Sequence, residues 1–383
     1  MKSKKLVRIS VVGVGGMGQG HCRSIVDKVP EAKLSAVVDS SPATAKMVGE
    51  QHKVPFFTSV RDLIKAQVVD AVIVANPPPV HHVSAIECMK AGIHVISEKP
   101  LSETITNAEK MVKAAKKHRV AFAVMFQRRF EPVIEKAVEI VRTGQIGRIY
   151  RSVMISPEYR SQAYYDSSTW RATWKGEGGG VMMNQAPHIM DIFVQLAGVP
   201  AKVSGRIETS LHTIEVEDKA EALLQYKDGG TGYFYCSTNE PPPGQMIEIF
   251  GDKGKLVLRN GTLELYRFSA PVKAFTRKNK EMWAAPKAER VEFKLAERPT
   301  GHFLVIRNFA RHILKGEALR CAGETGLASL ELANAITLSS FTRKEVSIPV
   351  NRRAYDALLA KLRRASRSKK GGIREQRTTD PRH

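Results

Sequence analysis

The sequence has no apolar run long enough to span a bilayer, and it has only four cysteines, Cys22, Cys88, Cys236 and Cys321, none of them in a CxxC pair. A transmembrane helix needs about 20 consecutive apolar residues, so the first absence argues against a membrane protein. The scattered cysteines argue against a zinc site or a disulfide framework, and we expect no metal. The basic, apolar start of the chain is interrupted by Arg8 and runs into a glycine-rich turn. We interpret it as a first strand rather than an export signal and expect a cytoplasmic protein.

Acidic residues are also scarce relative to basic ones, with 38 Asp and Glu against 60 Lys and Arg, which gives a formal net charge of +22. Such a balance suggests either anionic partners or a solvated basic surface. Part of the excess lies in residues 361–383, which contain nine Lys or Arg residues and no apolar periodicity. We therefore predict a basic C-terminal helix and tail over residues 351–383, partly disordered. The sequence has no RNA-recognition aromatic motif and no helix-turn-helix pattern, so we favour the solvated surface over nucleic-acid binding.

Segments with strand and helix character alternate over the first third of the 383 residues. Residues 68–75 are apolar on both faces, as in a buried strand of a parallel sheet, and residues 94–97 form another predicted strand after a helix-like stretch. This alternation predicts an α/β fold, with a doubly wound parallel sheet of the Rossmann type in a first domain over residues 1–125. A chain of this length has room for a second domain with its own core, which we place at residues 126–350.

A glycine-rich turn, GVGGMG, follows the first predicted strand and opens the first predicted helix. Its Gly13, Gly15 and Gly18 form the GxGxxG pattern. The first glycine permits a tight turn, the second lets backbone N–H groups approach a pyrophosphate, and the third lets the helix pack closely on the sheet. Asp39 ends the second predicted strand, where a carboxylate accepts hydrogen bonds from ribose hydroxyls. The pattern predicts an NAD site, and because Ser40 follows the aspartate, NADP stays an alternative.

Two unusual segments follow buried strands: NPPPVH at residues 76–81 and SEKP at residues 97–100. In doubly wound sheets ligands bind beyond the carboxyl ends of the strands, so both segments are expected at the cofactor cleft. Lys99 is then a candidate for chemistry, and its alternative is a surface lysine in a loop.

The stretch GGGVMMNQAPHIMD, residues 178–191, places polar residues among apolar ones. Asn184, His188 and Asp191 are separated by four and three residues, a spacing that puts them on one face of a helix. Proline is tolerated in the first turn of a helix, so this helix is expected to begin within a few residues upstream of Pro187. On these grounds His188 is either a site residue or a satisfied core histidine, and Asn184 is either a site residue or an N-cap.

Taken together, these motifs resemble the Gfo/Idh/MocA oxidoreductases, the family of glucose–fructose oxidoreductase and inositol dehydrogenase. The resemblance extends over roughly residues 6–350. It is carried by the GxGxxG turn with Asp39, NPPPVH at 76–81, EKP at 98–100, QRRF at 127–130, GQIGRI at 144–149, GGG…HxxD at 178–191 and HFLVIRNFARHILKG at 302–316.

The resemblance implies a second, α+β domain with a large, mostly antiparallel open sheet. Short strand-like segments joined by glycine turns in residues 201–268 agree with it. It also implies an assembly of identical chains, a dimer or tetramer, and a cis peptide bond before Pro100. The motifs and the resemblance together assign these residues to the cofactor site: Gly13, Gly15, Gly16, Met17, Gly18, Asp39, Ser40, Ala75, Asn76, Pro77, Pro78, His81, Glu98, Lys99, Arg128, Trp170 and Arg171.

The resemblance further implies that Lys99 and His188 are the catalytic residues and flank the substrate carbon, and we assign Lys99, Asn184 and His188 to substrate contact. The expected reaction transfers a hydride between nicotinamide and a secondary alcohol of a sugar, a sugar derivative or a cyclitol. His188 is the first choice for the base, with Lys99 stabilising the charge on the oxygen, and the two roles are open to exchange.

The chain departs from inositol dehydrogenase-like relatives, which usually carry an aspartate where this sequence has Asn184. If a carboxylate–histidine pair is the base in those relatives, that pair is absent here. Asn184 then orients a substrate hydroxyl or caps the helix, and Asp191 is expected to orient the helix or the His188 ring. In relatives a Trp-Arg pair borders the nicotinamide and the substrate. Trp170 and Arg171 match it, and the alternative is a packed loop aromatic.

Two rival functions use the same fold. One is an NAD-dependent glycosidase that works by transient oxidation and elimination. The other is a dinucleotide-sensing regulator, which needs the glycine loop but neither Lys99 nor His188. The presence of both residues favours an enzyme.

Overall fold

Two sheets organise the part of the chain that the computed structural model describes, residues 6–367. One is six-stranded and parallel, and the other is nine-stranded and mostly antiparallel, which confirms the expected fold class. The predicted basic C-terminal helix is observed over Arg352–Ala365, whereas residues 368–383 of the predicted tail lie outside the described residues.

The first sheet has the doubly wound order in which β1 lies between the two halves. Its order is β3-β2-β1-β4-β5-β6, and every pair is parallel. The central strand with sequence AVIV is buried throughout, because helices cover both faces of a parallel sheet. The chain adds strands on one side of β1 up to β3 and then on the other side from β4 onwards. A ligand cleft forms at the carboxyl ends of β1 and β4, where this change of side occurs. The strands are β1 (Val7–Val12), β2 (Ala32–Val38), β3 (Phe56–Phe57), β4 (Ala71–Val74), β5 (His94–Ser97) and β6 (Phe122–Val124).

The helices between these strands differ in how their first turns are capped. The side chains of Ser41, Ser59 and Thr104 accept hydrogen bonds from backbone N–H groups at three of the helix starts. The first helix begins after Gly15 without such a cap, so its first N–H groups are available to an anion. The helices are α1 (Gly16–Lys28), α2 (Pro42–His52), α3 (Val60–Ala66), α4 (Pro78–Lys90) and α5 (Ile105–His118).

The second sheet begins after a 3₁₀ turn, Gln127–Phe130, and helix α6 (Pro132–Arg142). Its order is β14-β13-β12-β11-β7-β10-β9-β8-β15, and only β7 and β10 pair in parallel. The predicted hairpin corner RNGT is present, with Asn260 and Gly261 at φ of 46° and 82°, the left-handed values that a tight hairpin turn requires. The strands are β7 (Ile149–Pro157), β8 (Lys202–Glu208), β9 (Lys219–Gln225), β10 (Thr231–Ser237), β11 (Met246–Gly251), β12 (Gly254–Arg259), β13 (Thr262–Phe268), β14 (Ala288–Arg290) and β15 (Val346–Ser347).

Some of the remaining helices pack on the second sheet, and others return to the first half of the chain. Helix α12 packs on β8 and α9, whereas α11, the predicted late helix, packs on α1. The division of the chain at residues 125 and 350 therefore stays a prediction, because these late helices contact both halves. Within residues 6–367, no helix is both long enough and apolar enough to cross a membrane. The helices are α7 (Gln162–Asp166), α8 (Val181–Asn184), α9 (Pro187–Ala197), α10 (Val272–Lys278), α11 (His302–Lys315), α12 (Leu327–Thr342) and α13 (Arg352–Ala365).

Candidate active site

A cleft of about 1480 Å³ opens at the carboxyl ends of the first sheet and is closed on its far side by residues of the second half of the chain. Every residue that the sequence assigned to cofactor, substrate or catalysis lines this cleft except Gly18. The predicted residues that line it are Gly13, Gly15, Gly16, Met17, Asp39, Ser40, Ala75, Asn76, Pro77, Pro78, His81, Glu98, Lys99, Arg128, Trp170, Arg171, Asn184 and His188.

The three glycines of the GxGxxG turn meet three different steric demands. Gly13 has φ of +88°, and a Cβ there would lie 2.6 Å from the backbone nitrogen of Asn76. A Cβ on Gly18 would lie 1.9 Å from the carbonyl oxygen of Gly13, so this glycine lets α1 pack against the turn instead of lining the cleft. A Cβ on Gly15 would meet nothing within 4 Å. The turn therefore leaves open space over Gly15, where a pyrophosphate would lie against the start of α1.

Asp39 is fixed at the end of β2 by the glycine turn itself. One carboxylate oxygen accepts a hydrogen bond from the Val14 N–H at 3.0 Å, and the other accepts from the Ser41 N–H at 2.9 Å. Its side chain lines the cleft, as expected for a carboxylate that binds ribose hydroxyls. The residues present therefore fit an NAD group, with the turn at the pyrophosphate and Asp39 at the ribose.

The EKP segment is held by a buried contact between Glu98 and His21 that the sequence did not reveal. One carboxylate oxygen of Glu98 lies 2.7 Å from Nε2 of His21 on α1, and the other accepts a hydrogen bond from the Lys99 N–H at 3.0 Å. Burial alone would raise the pKa of Glu98, but the hydrogen bond and charge of His21 hold it well below its usual range. The loop that carries Lys99 is thus tied to the helix of the glycine turn.

Lys99 points into the cleft, and hydrogen bonds hold both its backbone N–H and its ammonium group. Its Nζ donates a hydrogen bond to the carbonyl oxygen of Asn184 at 2.9 Å. The peptide bond between Lys99 and Pro100 is cis, as expected from the family. Burial lowers the pKa of Lys99 below its usual range, and the charge of Glu98 is the largest opposing influence. A surface lysine would have neither the burial nor the carbonyl partner.

His188 lies in the same cleft with a ring nitrogen unpaired. Its Nε2 lies 3.4 Å from the side-chain nitrogen of Gln127, and its ring meets Phe126 edge-on. Its buried Nδ1 has no hydrogen-bonding partner among the described residues. Burial, and after it the charge of Lys99, holds the pKa of His188 well below its usual value, so the ring is neutral at neutral pH. A satisfied core histidine would have hydrogen-bonding partners for its nitrogens, so this geometry supports the interpretation of His188 as a site residue.

Asn184 is not the N-cap of the helix that carries His188. That helix begins at Pro187 with Ala186 at the N-cap position, and Asn184 ends a separate short turn, Val181–Asn184. The N-cap alternative is therefore wrong, because the chain makes two helical segments where the sequence suggested one. The Asn184 side chain instead donates a hydrogen bond to the carboxylate of Glu177.

Asp191 does not contact the His188 ring. Its carboxylate accepts two hydrogen bonds from Arg129, at 2.8 and 2.5 Å, and one from Gln195 at 3.0 Å. Arg129 lies in the 3₁₀ turn after β6, so the pair fixes α9 to the end of the first sheet. The expectation that Asp191 orients the ring is wrong, and the expectation that it orients the helix agrees with this anchoring.

Trp170 and Arg171 form one wall of the cleft together with Tyr164. The Arg171 guanidinium lies over the Tyr164 ring at 4.3 Å and over the Trp170 ring at 5.0 Å. It also donates a hydrogen bond to the Tyr164 hydroxyl, which accepts a second one from Gln185 at 3.0 Å. This wall combines an aromatic face with polar groups, a surface suited to a hydroxyl-rich ring.

His81 and Arg128 have protein partners that limit their part in a cofactor site. The two ring nitrogens of His81 lie 2.9 and 2.6 Å from the carbonyl oxygens of Pro100 and Asn76, so this ring ties the NPPPVH and EKP segments together. Arg128 donates to Glu131 at 3.1 Å and to Gln245 at 3.2 Å.

Sequence reasoning missed several residues that line the cleft. The most informative is Glu177, which directly precedes the three glycines and accepts hydrogen bonds from Ala172 and Asn184. An acidic residue within the glycine-rich run WKGEGGG was the available signal. The other cleft residues that were missed include Gln127, Glu158, Arg160, Tyr164, Gln185, Gln245 and His302.

Comparison with known proteins gives full-length similarity to oxidoreductases. The chain is 26% identical over 354 residues to the uncharacterized oxidoreductase YrbE of Bacillus subtilis, covering 90% of this chain and 97% of that protein. It is 25% identical over 351 residues to the myo-inositol 2-dehydrogenase of Thermotoga maritima, covering 89% of this chain and 98% of that protein.

Solved structures share the whole fold. The WlbA dehydrogenase of Chromobacterium violaceum, in complex with NADH and UDP-GlcNAcA, superposes with a TM-score of 0.78 at 29% identity, covering 92% of this chain and 98% of that one. Residues 7–126 match the oxidoreductase family with an NAD-binding Rossmann fold, and residues 134–257 match the GFO/IDH/MocA C-terminal domain. The chain therefore belongs to the Gfo/Idh/MocA family of oxidoreductases.

Proposed function

We propose that this protein is an NAD-dependent dehydrogenase that interconverts a secondary alcohol and a ketone on a sugar, a sugar derivative or a cyclitol. The observation that carries the proposal is the pair formed by Lys99 and His188, half-buried in the same cleft as the dinucleotide turn, with the lysine held by a backbone carbonyl and the histidine neutral. A regulator that only senses a dinucleotide has no need of such a pair.

The cofactor side of the cleft is built from the glycine turn, Asp39 and the EKP segment. The N–H groups at the start of α1 would hold the pyrophosphate, and Asp39 would hold the adenosine ribose. When bound, the nicotinamide accepts or donates the hydride. The chain itself supplies binding, orientation and proton handling.

Lys99 and His188 offer complementary groups for work on one oxygen. The lowered pKa of His188 leaves its imidazole neutral, so a ring nitrogen is available to accept the hydroxyl proton. The ammonium of Lys99 is a hydrogen-bond donor that stabilises negative charge as it develops on that oxygen. The structure therefore favours His188 as base and Lys99 as the electrostatic partner.

The substrate side of the cleft supports a polyhydroxylated ligand. Tyr164, Gln185 and Gln245 present hydroxyl and amide groups there, and Trp170 presents an aromatic face. Relatives named for inositol oxidation and the similar structure that contains UDP-GlcNAcA support the same class of substrate.

The test is a screen for reduced nicotinamide with inositols, hexoses, sugar acids and glycosides, each offered with NAD and with NADP. We expect at least one of these compounds to be oxidised, and NAD to serve better than NADP because the Asp39 carboxylate repels a 2′-phosphate. Cleavage of a glycoside without accumulation of NADH would instead identify the glycosidase that uses transient oxidation. Absence of both reactions, in a protein that binds NADH, would contradict the proposal.

We also propose that the protein forms a homo-oligomer through the open face of the second sheet. Leu223, Tyr233 and Val153 lie in register across three neighbouring strands, and Leu223 is 63% exposed. Leu223 thus exposes an apolar side chain beside the half-buried Tyr233 and Val153, and a second copy would present the same row to it.

Leu223→Glu is expected to convert the assembly to monomers in analytical ultracentrifugation, because it places a charge from each copy on that apolar row. Leu211→Glu is the matched control, since Leu211 is equally exposed but lies in a loop outside the sheet. A monomeric wild type, or an assembly that Leu223→Glu leaves intact, would contradict this proposal.

A further inference from the structure

Glu177 is a buried carboxylate at the edge of the cleft that the reaction scheme above does not use. It directly precedes the three glycines and is 3% exposed, yet it lines the cleft. One of its oxygens accepts a hydrogen bond from the Ala172 N–H at 2.6 Å, and the other accepts one from the side-chain amide of Asn184. Both carboxylate oxygens of Glu177 therefore already accept a hydrogen bond, one from the loop before it and one from the turn after it.

Through Asn184, Glu177 reaches the catalytic lysine. The side chain of Asn184 is held by Glu177, and the backbone carbonyl oxygen of the same residue accepts the hydrogen bond from Lys99 Nζ at 2.9 Å. Because Glu177 holds the side chain at the Asn184 end of the short turn Val181–Asn184, the carboxylate helps to set where the backbone carbonyl and the ammonium meet.

Through Ala172, Glu177 reaches the Trp170–Arg171 wall. Ala172 is buried and has φ of +59°, a left-handed conformation that residues other than glycine rarely adopt. The hydrogen bond from its N–H to Glu177 holds that conformation in place. The same carboxylate thus fixes the loop that presents Trp170 and Arg171 to the cleft.

Glu177 acts on Lys99 through its charge as well as through its hydrogen bonds. Burial raises the pKa of Glu177, whereas the charge of Arg171 and the N–H of Ala172 oppose that rise. The groups that act on Lys99 are the carboxylates Glu98, Glu177 and Glu158, which favour its charged form, and Arg160, which disfavours it. Across the cleft, Lys99 in turn disfavours the charged form of His188.

We propose that Glu177 is a positioning residue for Lys99, acting through Asn184 and through its negative charge, so that the Lys99 ammonium is kept charged and aimed into the cleft. The catalytic meaning of this inference rests on the proposed function, but the effect of Glu177 on Lys99 is measurable without any substrate.

The first test is Glu177→Gln. The introduced amide can still accept from the Ala172 N–H, and the Asn184 amide can rotate to remain its partner, so the change removes mainly the charge. Because a nearby negative charge favours the ammonium form, we expect the pKa of Lys99 to fall. Competitive acetylation of Lys99 as a function of pH, read by mass spectrometry of the folded protein, measures this directly.

The matched control is Glu217→Gln. Glu217 is the other buried carboxylate of this region, where it accepts hydrogen bonds from the N–H groups of Gly180 and Met182, but it does not line the cleft. Burial raises its pKa to about 7, so it carries less charge than an exposed glutamate at neutral pH. We expect this variant to leave the acetylation profile of Lys99 in place.

The second test exchanges the two partners. Asn184→Asp alone sets two carboxylates against each other, which would force them to share a proton, and we expect a loss of turnover of about 10²-fold from the misplaced lysine. In the double variant Glu177→Gln/Asn184→Asp, the introduced amide can accept from Ala172 and donate to the introduced carboxylate. We expect the double variant to recover at least tenfold of the loss.

An unchanged Lys99 profile in Glu177→Gln, or equal shifts in Glu177→Gln and Glu217→Gln, would overturn the proposal. So would a double variant no more active than Asn184→Asp on the substrate that the screen identifies. If the screen identifies none, the acetylation profile alone decides, so failure of the dehydrogenase proposal is distinguishable from failure of this one.

Discussion

His188→Ala and Lys99→Ala are each expected to lower kcat by about 10²- to 10⁴-fold, the usual cost of losing a general base or the group that works with it. NADH affinity, measured by fluorescence titration, is expected to change little, because both variants keep the glycine turn and Asp39, which would hold the pyrophosphate and the ribose. His118→Ala and Lys117→Ala at the end of α5 are matched controls outside the cleft.

The double variant is expected to lose less than the product of the two single losses, because groups that act on one oxygen are not additive. Full multiplicative loss would show that Lys99 and His188 act independently. Near-normal turnover in His188→Ala would show that His188 has a structural role in α9 and is not the base.

The assignment of base and electrostatic partner also fixes the pH dependence of kcat/KM. His188 must be neutral, and its pKa lies well below 6.5, so activity is expected to fall only as pH decreases through that lowered value. Lys99 must be charged, and its pKa lies below 10.5, so activity falls as pH rises through it. If the roles are exchanged, Lys99→Ala removes the acidic limb of the profile instead of the alkaline one.

Asp191→Ala is expected to lower the free energy of unfolding by about 3–5 kcal/mol, because it leaves the buried Arg129 guanidinium without its charged partner. The side chains of Arg129 and Asp191 are only 7% and 2% exposed, and the pair joins α9 to the end of the first sheet. Urea unfolding followed by circular dichroism measures the change.

Glu50→Ala is the control for that experiment. Glu50 pairs with Lys46 on α2 with both side chains 63% exposed, and such a pair contributes about 0.5 kcal/mol or less. Replacement of both Arg129 and Asp191 by apolar residues is expected to recover part of the loss. A change below about 1 kcal/mol in Asp191→Ala would contradict the view that this pair anchors the helix.

The cofactor half of the site was predictable because its signals are local. Gly13, Gly15, Gly18 and Asp39 belong to one strand–turn–helix–strand unit, in which Gly18 packs against Gly13 and Asp39 accepts a hydrogen bond from the Val14 N–H. Spacing alone therefore identifies these positions, whatever the rest of the chain does.

The substrate half was predictable only in part because its contacts join distant segments. The spacing of Asn184, His188 and Asp191 suggested one polar helix face, but the chain breaks into two helical segments between Asn184 and Pro187. The partners of Asn184 and Asp191 are Glu177 and Arg129, and no periodicity within residues 178–191 indicates either. Motif resemblance located His188, whereas only the folded chain shows what holds it.

Direct hydride transfer is the central claim, and isotope transfer tests it most directly. The substrate identified by the screen is prepared with deuterium on the carbon that carries the oxidised hydroxyl and is incubated with enzyme and NAD in ordinary water. We predict that the NADH formed retains the deuterium at nicotinamide C4, and that His188→Ala and Lys99→Ala form it far more slowly. Unlabelled NADH, or label lost to water while no NADH accumulates, would contradict the account.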